Sequence, residues 1–517
     1  MKKKKGYLSG AGALAAAVVF AKVLGAAYRI PLANLLGAEG MGLYQFVYPV
    51  FALLLTLSGG SVPTAVSISV SELVARGEEE EARKFFSAAL KLSLLIGLTG
   101  SLLLAALAYP VSYLQSRDAF LGYLAISPAV LIVTLVSAFR GWFTGHNNLM
   151  PSSLSQITEG LVKMGVGLTL SYILLPYGLS YAVLGALTGV TASELVTLAI
   201  MSIIFGVKHG KVPRVRLREE RPHLKKLGKT MLPLILCGMI LPLSQFIDSL
   251  LIVNLLGKTS DATAEYGVWT GMVAPLINLP VMICISLGVA VTPQMVESRE
   301  KGDVDMILKK CDTSVKLTFF LGIPFVILYL IAPESVLGLF FSGVGQERLM
   351  RGALLLRINA VSVLGLSVFQ IYSAMLQGLN RIKAPAVIMS AAMLIKLLLT
   401  LILTPLFGIV GAAIAAVCGN VLAGAVIFGY FVNFTRLEKR LVKNVSLITL
   451  CGVIMGLPIF MANGWMTSVA TVVAVGILAG LVYLAAVFVT QVFSREEWQA
   501  MPLSGLLVRL DKKINGG

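Results

Sequence analysis

The chain is 517 residues long, and 57% of its residues are hydrophobic whereas only 13% are charged. This balance cannot cover the surface of a water-soluble protein, so it excludes ordinary soluble enzymes and indicates an integral membrane protein. The formal net charge of +17 would suit a nucleic-acid partner. However, the basic residues lie in short loops beside hydrophobic stretches, where they orient helices in a membrane. We therefore expect no nucleic-acid binding.

Fourteen stretches are long enough to cross a bilayer, which takes about 20 mostly apolar residues. The first six are Leu8–Tyr28, Leu43–Val70, Phe85–Tyr109, Phe120–Phe143, Leu154–Leu175 and Tyr181–Phe205. The other eight are Met231–Leu256, Val268–Val296, Val315–Ala332, Ala353–Leu376, Ala386–Leu406, Ile409–Phe431, Val445–Met461 and Val469–Phe493. The sequence predicts an all-α polytopic membrane protein with about 14 transmembrane helices.

Lysine and arginine are dense in every second loop and sparse in the others. Four lysines precede the first stretch, and nine basic residues lie between positions 208 and 229. Because basic loops stay on the cytoplasmic side, this alternation predicts that both termini and the 208–229 segment are cytoplasmic.

The first six stretches recur in the same order from about residue 230. Asn34-Leu35-Leu36-Gly37 matches Asn254-Leu255-Leu256-Gly257, and Gly145, Asn147 and Lys163 match Gly378, Asn380 and Lys396. Repeats with an even number of helices are parallel, and such repeats place a cavity between them. We predict an N-terminal lobe at 1–207, a basic cytoplasmic linker at 208–229, a C-terminal lobe at 230–434, and two extra helices with a cytoplasmic tail at 435–517.

Charged residues inside spans are the functional candidates, since each costs roughly 2.5–3.5 kcal/mol at a helix centre. Lys22 and Arg29 are two turns apart and share one face of the first helix, so we predict that both line the cavity. Arg29 could instead extend to the outer interface, and Lys22 could pair with a carboxylate. Glu159 and Lys163 lie four apart on the fifth helix and can neutralise one another. A structural ion pair and a role toward substrate or proton both stay open for them.

The remaining intramembrane charges are Glu72, Arg140, Glu194, Asp248, Arg357 and Lys396. For Glu72 and Arg140, near predicted cytoplasmic ends, we expect side chains that extend to the interface. Asp248, Arg357 and Lys396 are predicted to line the cavity.

Helix breakers interrupt the second and eighth spans at matching places in the two halves. They are Gly59, Gly60 and Pro63 in one half and Pro275 and Pro280 in the other. Interrupted helices at matching positions indicate hinges on a substrate pathway, although static kinks are the alternative.

Two segments resemble a known family. They are Leu36-Gly37-Ala38-Glu39-Gly40-Met41-Gly42-Leu43-Tyr44-Gln45, followed by Val62-Pro63, and the later Gly378-Leu379-Asn380, Pro385 and Gly411-Ala412-Ala413. Both look like the polysaccharide transporter and stage V sporulation protein B branch of the multidrug/oligosaccharidyl-lipid/polysaccharide exporter superfamily, and the likeness covers essentially the whole chain.

The resemblance implies two six-helix lobes around a V-shaped cavity in the bacterial cytoplasmic membrane. It also implies an alternating-access flippase for a lipid-linked saccharide, such as the peptidoglycan precursor lipid II. The expected partners are that substrate, membrane lipids and a coupling ion, H⁺ or Na⁺. We expect a monomer with no cofactor.

A drug/cation antiporter of the same superfamily is the alternative function. Lys22 and Arg29 argue against it, because they would repel a cationic drug and attract a pyrophosphate. In some similar flippases, acidic residues of the seventh and eleventh helices bind sodium. Asp248 matches the seventh helix and is a candidate cation site, whereas the eleventh helix carries Lys396. The sequence holds no paired-acid motif, metal cluster or phosphate-binding loop, so we predict that the protein is not an enzyme.

Overall fold

The computed structural model describes the backbone of residues 2–210, 212, 217–381, 383–435, 440–466, 468–494 and 497–498. Within these ranges the side chains of residues 2–23, 26, 217–221, 237, 289–290, 293–294, 434–435 and 440–442 are not described. The backbone forms two units, residues 1–271 (unit 1) and 272–517 (unit 2).

The helices of unit 1 are α1 (Lys2–Leu55), α2 (Val62–Ala75), α3 (Glu79–Leu114), α4 (Phe120–Gly145), α5 (Met150–Leu174), α6 (Leu179–His209), α7 (Leu217–Gly238), α8 (Ile240–Leu255) and α9 (Ser260–Gly267). Those of unit 2 are α10 (Ala274–Glu300), α11 (Val304–Ile331), α12 (Pro333–Phe341), α13 (Gln346–Asn359), α14 (Ser362–Gly378), α15 (Lys383–Phe407), α16 (Ile409–Thr435), α17 (Arg440–Ala462) and α18 (Val469–Val489).

Eleven of the described helices are long and apolar enough to cross a membrane. Two further pairs of helices each bend by 48°, and they raise the number to thirteen if each pair is one span. The pairs are Pro222–Leu236 with Ile240–Leu255 and Gln346–Asn359 with Ser362–Gly378. The sequence had predicted unbroken spans at both places. The first predicted span, Leu8–Tyr28, falls mostly where side chains are not described. The prediction of an all-helical polytopic membrane protein is confirmed.

Residues that match between the two predicted repeats adopt the same unusual backbone conformation. Gly37 and Gly257 have φ of 67° and 94°, and Asn147 and Asn380 have φ of 54° and 63°. Gly37 lies at a kink that divides α1 into two helical parts, and the other three residues directly follow or lie near the ends of helices. Left-handed φ is accessible to glycine and, less readily, to asparagine, which explains the residue types at these positions. The agreement supports a duplication, which stays a prediction.

An aromatic cluster packs α3, α4 and α6 together in unit 1. The ring of Phe86 lies 4.8 Å from Trp142 and 5.0 Å from Phe205, measured between centroids. Leu227 and Met231 of α7 are buried in the same core. The end of the predicted linker is therefore part of the core of unit 1.

In unit 2 the chain beyond α18 folds back onto α11. Glu497 accepts hydrogen bonds from Lys316 at 2.6 Å and Thr313 at 2.7 Å, and buried Trp498 stacks on Phe488 at 4.7 Å. Burial raises the pKa of Glu497, but hydrogen bonds from Lys316, a backbone N–H and Thr313 outweigh it, so the pKa lies below its usual range.

Candidate functional site

A cavity of ≈ 260 Å³ lies in unit 1 and carries charged groups at its wall. Three helices line it: α1, α4 and α5. The lining residues are Leu24, Gly25, Tyr28, Arg140, Gln156, Glu159, Gly160 and Lys163. Two cations and a carboxylate in one cavity are unusual in a helix bundle that otherwise consists of apolar spans, because each charge is costly there.

Arg140 of α4 joins α5 through two contacts. Its Nη2 donates to Glu159 Oε2 at 2.9 Å, and its Nε donates to the Ser155 hydroxyl at 3.0 Å. The Arg140 and Glu159 side chains are 20% and 31% exposed, so the ion pair is partly shielded from solvent. The expectation that Arg140 extends to the interface was wrong. Glu159 thus forms an ion pair between helices, and it also acts electrostatically on Lys163 of its own helix.

Lys163 is held by aromatic side chains of α1. Its Nζ lies 5.4 Å from the ring centroid of Tyr28 and 5.5 Å from that of Tyr48. The Tyr44 hydroxyl is close enough to act on it electrostatically. The Glu159 carboxylate, one turn away on the same helix, acts on Lys163 electrostatically but forms its salt bridge with Arg140. Arg29, also on α1, is half-buried and close enough to act on Lys163 electrostatically.

Glu194 of α6 lies behind the cavity wall and is 5% exposed. Its carboxyl group is within hydrogen-bond reach of Glu159. Small residues permit this approach of α6 to α5, since a Cβ at Gly189 would collide with the backbone of Gly167. The structure thus places two carboxyl groups and two cations together from α4, α5 and α6.

The other predicted site residues lie elsewhere. The side chain of Lys22 is outside the described residues. Asp248 is buried on α8 and acts electrostatically on Tyr266 of α9. Arg357 donates to Glu334 Oε1 at 3.0 Å and to the carbonyl of Leu330 at 3.1 Å, so its charge is already paired. Lys396 of α15 is partly exposed in unit 2.

The predicted hinges coincide with irregular helix. Gly59 and Gly60 end a π-helical segment, Thr56–Gly60, that precedes Pro63. A second π-helical segment, Val268–Val273, precedes Pro275, and Pro280 follows inside α10. π-Helical turns are rare and are frequently found at functional sites. The hinge role itself stays a prediction.

Sequence reasoning missed the tyrosines that surround Lys163 and gave no role to Glu194. An acidic residue in the centre of apolar α6 was the available signal for Glu194. The tyrosines carry no such signal, because aromatic residues are common in any helix core.

Unit 2 holds a second cavity, of ≈ 370 Å³, between α11, α14, α16 and α17. Apart from Ser446 its lining is apolar. Such a lining suits hydrocarbon and offers little to a charged headgroup.

The fold matches that of a solved polytopic membrane protein. The chain superposes on the lipid II flippase MurJ in its inward closed conformation with a TM-score of 0.71, at 15% identity, over 93% of this chain and 99% of that one. At such identity the likeness shows the fold alone. The protein is therefore an all-helical polytopic membrane protein with this fold.

The sequence then identifies the family. The family model described as polysaccharide biosynthesis protein matches residues 7–299, more than half of the chain. The protein belongs to this family, within the multidrug/oligosaccharidyl-lipid/polysaccharide exporter superfamily, which confirms the resemblance. A second model, MatE, matches residues 233–402.

Two Bacillus subtilis (strain 168) proteins are similar along nearly their whole length. Stage V sporulation protein B is 28% identical, over 98% of this chain and 99% of that protein. Lipid II flippase MurJ is 24% identical, over 92% of this chain and 94% of that protein.

Proposed function

We propose that this protein moves a lipid-linked saccharide, lipid II or a related polysaccharide intermediate, across the bacterial cytoplasmic membrane by alternating access. The observation that carries the proposal is the presence of Arg140 and Lys163 on the wall of one cavity. Guanidinium and ammonium groups are the usual ligands of phosphate oxygens, and the guanidinium can bind two of them at once. The similarity to a protein named lipid II flippase supports the same substrate class.

The charges around the cavity favour an anion over a cationic drug. Glu159 already accepts from Arg140, so an organic cation would have to displace the guanidinium to reach it. Lys163 retains its charge among tyrosines, and Arg29 adds a further positive group nearby. This argues against the drug/cation antiporter that was the alternative.

Several further features belong to the proposal. We place Lys22 at the same site as Arg29 because both share one face of α1. Lys396 would contact the headgroup from the second repeat, and Arg357 could do so only after leaving Glu334. Bending at Gly59–Pro63 and Pro275–Pro280 would accompany release outside. Both termini would be cytoplasmic, the protein would act as a monomer, and Asp248 is the residue for a coupling cation.

Complementation tests the proposal in cells depleted of their own lipid II flippase. The variants are Lys163→Arg, which keeps the charge, and Lys163→Gln, which removes it. Lys225→Gln is the matched control, because Lys225 is an exposed lysine of α7 outside the cavity. We expect growth with the wild type, Lys163→Arg and Lys225→Gln, and none with Lys163→Gln at equal membrane abundance.

Two results would count against the proposal. Wild-type protein that reaches the membrane without restoring growth would exclude lipid II as the substrate. Full growth with Lys163→Gln would show that the cavity does not bind the headgroup.

A further inference from the structure

Two carboxyl groups face each other beside the cavity of unit 1. Glu194 and Glu159 are within hydrogen-bond reach of one another. Glu194 is 5% exposed, and its Oε2 has no hydrogen-bond partner among the side chains that the structure describes. Two carboxylates at this separation repel each other strongly when both are ionised, so such a pair holds a proton between its oxygens.

The surroundings of the pair decide how many protons it holds. The charged and titratable groups that face it or its neighbour Lys163 are Arg140, Lys163, Arg29, Tyr28, Tyr44 and Tyr48. Of these, Arg140 alone is joined to the pair by a charge-assisted hydrogen bond, to Glu159 Oε2 at 2.9 Å. That bond stabilises the remaining negative charge on Glu159. Arg140 is therefore the counter-charge of the pair on the side of the cavity.

We propose that Glu159 and Glu194 share one proton while Arg140 binds Glu159, and that they take up a second proton when an anionic headgroup enters the cavity. The inference rests on the proposed function, because it takes a lipid pyrophosphate as the anion. Arg140 lines the cavity and binds Glu159 at the same time. When its guanidinium turns to the phosphate oxygens, Glu159 loses its counter-charge, and a proton from solvent replaces it.

The direction of the pH effect follows from this exchange. A ligand that raises the proton affinity of a site binds more tightly when the site is protonated, because the coupling is reciprocal. Affinity for the anion should therefore increase as the pH falls. One full proton corresponds to about a tenfold change in Kd per pH unit.

The first experiment detects the shared proton without any ligand. Infrared spectra of the purified full-length protein in nanodiscs are recorded at neutral pH for the wild type and for Glu194→Gln. The control is Asp118→Asn, which removes an exposed carboxylate from the same unit. We expect a protonated-carboxyl band in the wild type and in Asp118→Asn that Glu194→Gln lacks. Glu159→Gln should remove the same band and serves if Glu194→Gln does not fold. A wild-type spectrum without the band overturns the proposal.

The second experiment measures the linkage with undecaprenyl pyrophosphate as the probe. Its Kd is determined from pH 5.5 to pH 8.5 for the same three proteins, and the titration of the probe itself cancels in the comparison. As the pH falls, the Kd of the wild type and of Asp118→Asn should decrease more steeply than the Kd of Glu194→Gln. The difference should be up to about tenfold per pH unit.

The outcomes separate this inference from the proposed function. Equal slopes in wild type and Glu194→Gln, with tight binding in both, overturn the proton linkage and leave the flippase proposal standing. A Kd that follows sodium concentration and not pH also overturns it, because the pair would then hold a cation. Absence of binding at every pH, with the infrared band present, refutes the anionic substrate and the linkage with it.

Discussion

The ion pair between Arg140 and Glu159 offers a quantitative test of the site. We expect Arg140→Met and Glu159→Gln each to destabilise the protein, because each removes the salt bridge and the opposite charge of its partner in a partly dry environment. Exposed pairs contribute up to about 1 kcal/mol, whereas breaking a buried pair costs about 3–5 kcal/mol. With side chains 20% and 31% exposed, the site lies between these limits, at about 2 kcal/mol for each single variant.

A double-mutant cycle separates the pair from its surroundings. In Arg140→Met/Glu159→Gln neither partner retains an uncompensated charge, so the double variant should lose clearly less stability than the sum of the two single losses. Detergent-solubilised protein is heated to a series of temperatures, and gel filtration measures the fraction that is not aggregated. The temperature at which half of this fraction remains is the thermal midpoint. Asp118→Asn, an exposed change, should leave the midpoint unchanged. Additive losses in the double variant would show that the two residues are not energetically coupled, and would refute the assignment of Arg140 to Glu159.

Three further outcomes are expected. Lys22→Arg should retain most transport and Lys22→Gln should lose it at equal abundance, because a charge-assisted bond to phosphate is roughly twice as strong as a neutral one; transport in Lys22→Gln would remove this residue from the site. A cysteine introduced beside Lys258 should react with an impermeant maleimide from outside, and one beside Arg218 should not; the reverse pattern would invert the topology. The docking of the C-terminal segment should weaken in acid. The pKa of Glu497 is lowered in the folded protein, so its stabilisation is present at neutral pH and is lost as the pH falls through that lowered pKa. Limited proteolysis should cut this segment faster at acidic pH, and Glu497→Gln should be cut quickly at neutral pH. Equal cutting of wild type and variant at neutral pH would contradict a stabilising role of the ion pair between Glu497 and Lys316.

The hydropathy of individual segments was enough to predict an all-helical membrane protein and the order of its helices. Whether a stretch is long and apolar enough to cross a bilayer depends on that segment alone. It can therefore be recognised without knowledge of the neighbouring segments. The positions of helix breakers were visible for the same reason, since Pro63 and Pro275 disturb their own helices. The sequence could also select Glu159 and Lys163 as candidates, because a charge inside a span is conspicuous in any context.

Which charged side chains meet became apparent from the packing of the helices. From the sequence, Glu159 has a cation four residues away on its own helix, and that local partner is the one a helical spacing rule finds. In the fold, its partner is Arg140, 19 residues away on α4, and Lys163 turns instead to the tyrosines of α1. Glu194 joins them because Gly167 and Gly189 let α5 and α6 approach closely. Contacts between helices depend on packing distances and rotations that hydropathy does not encode, so the composition of the cavity wall became apparent only when the helices were in place.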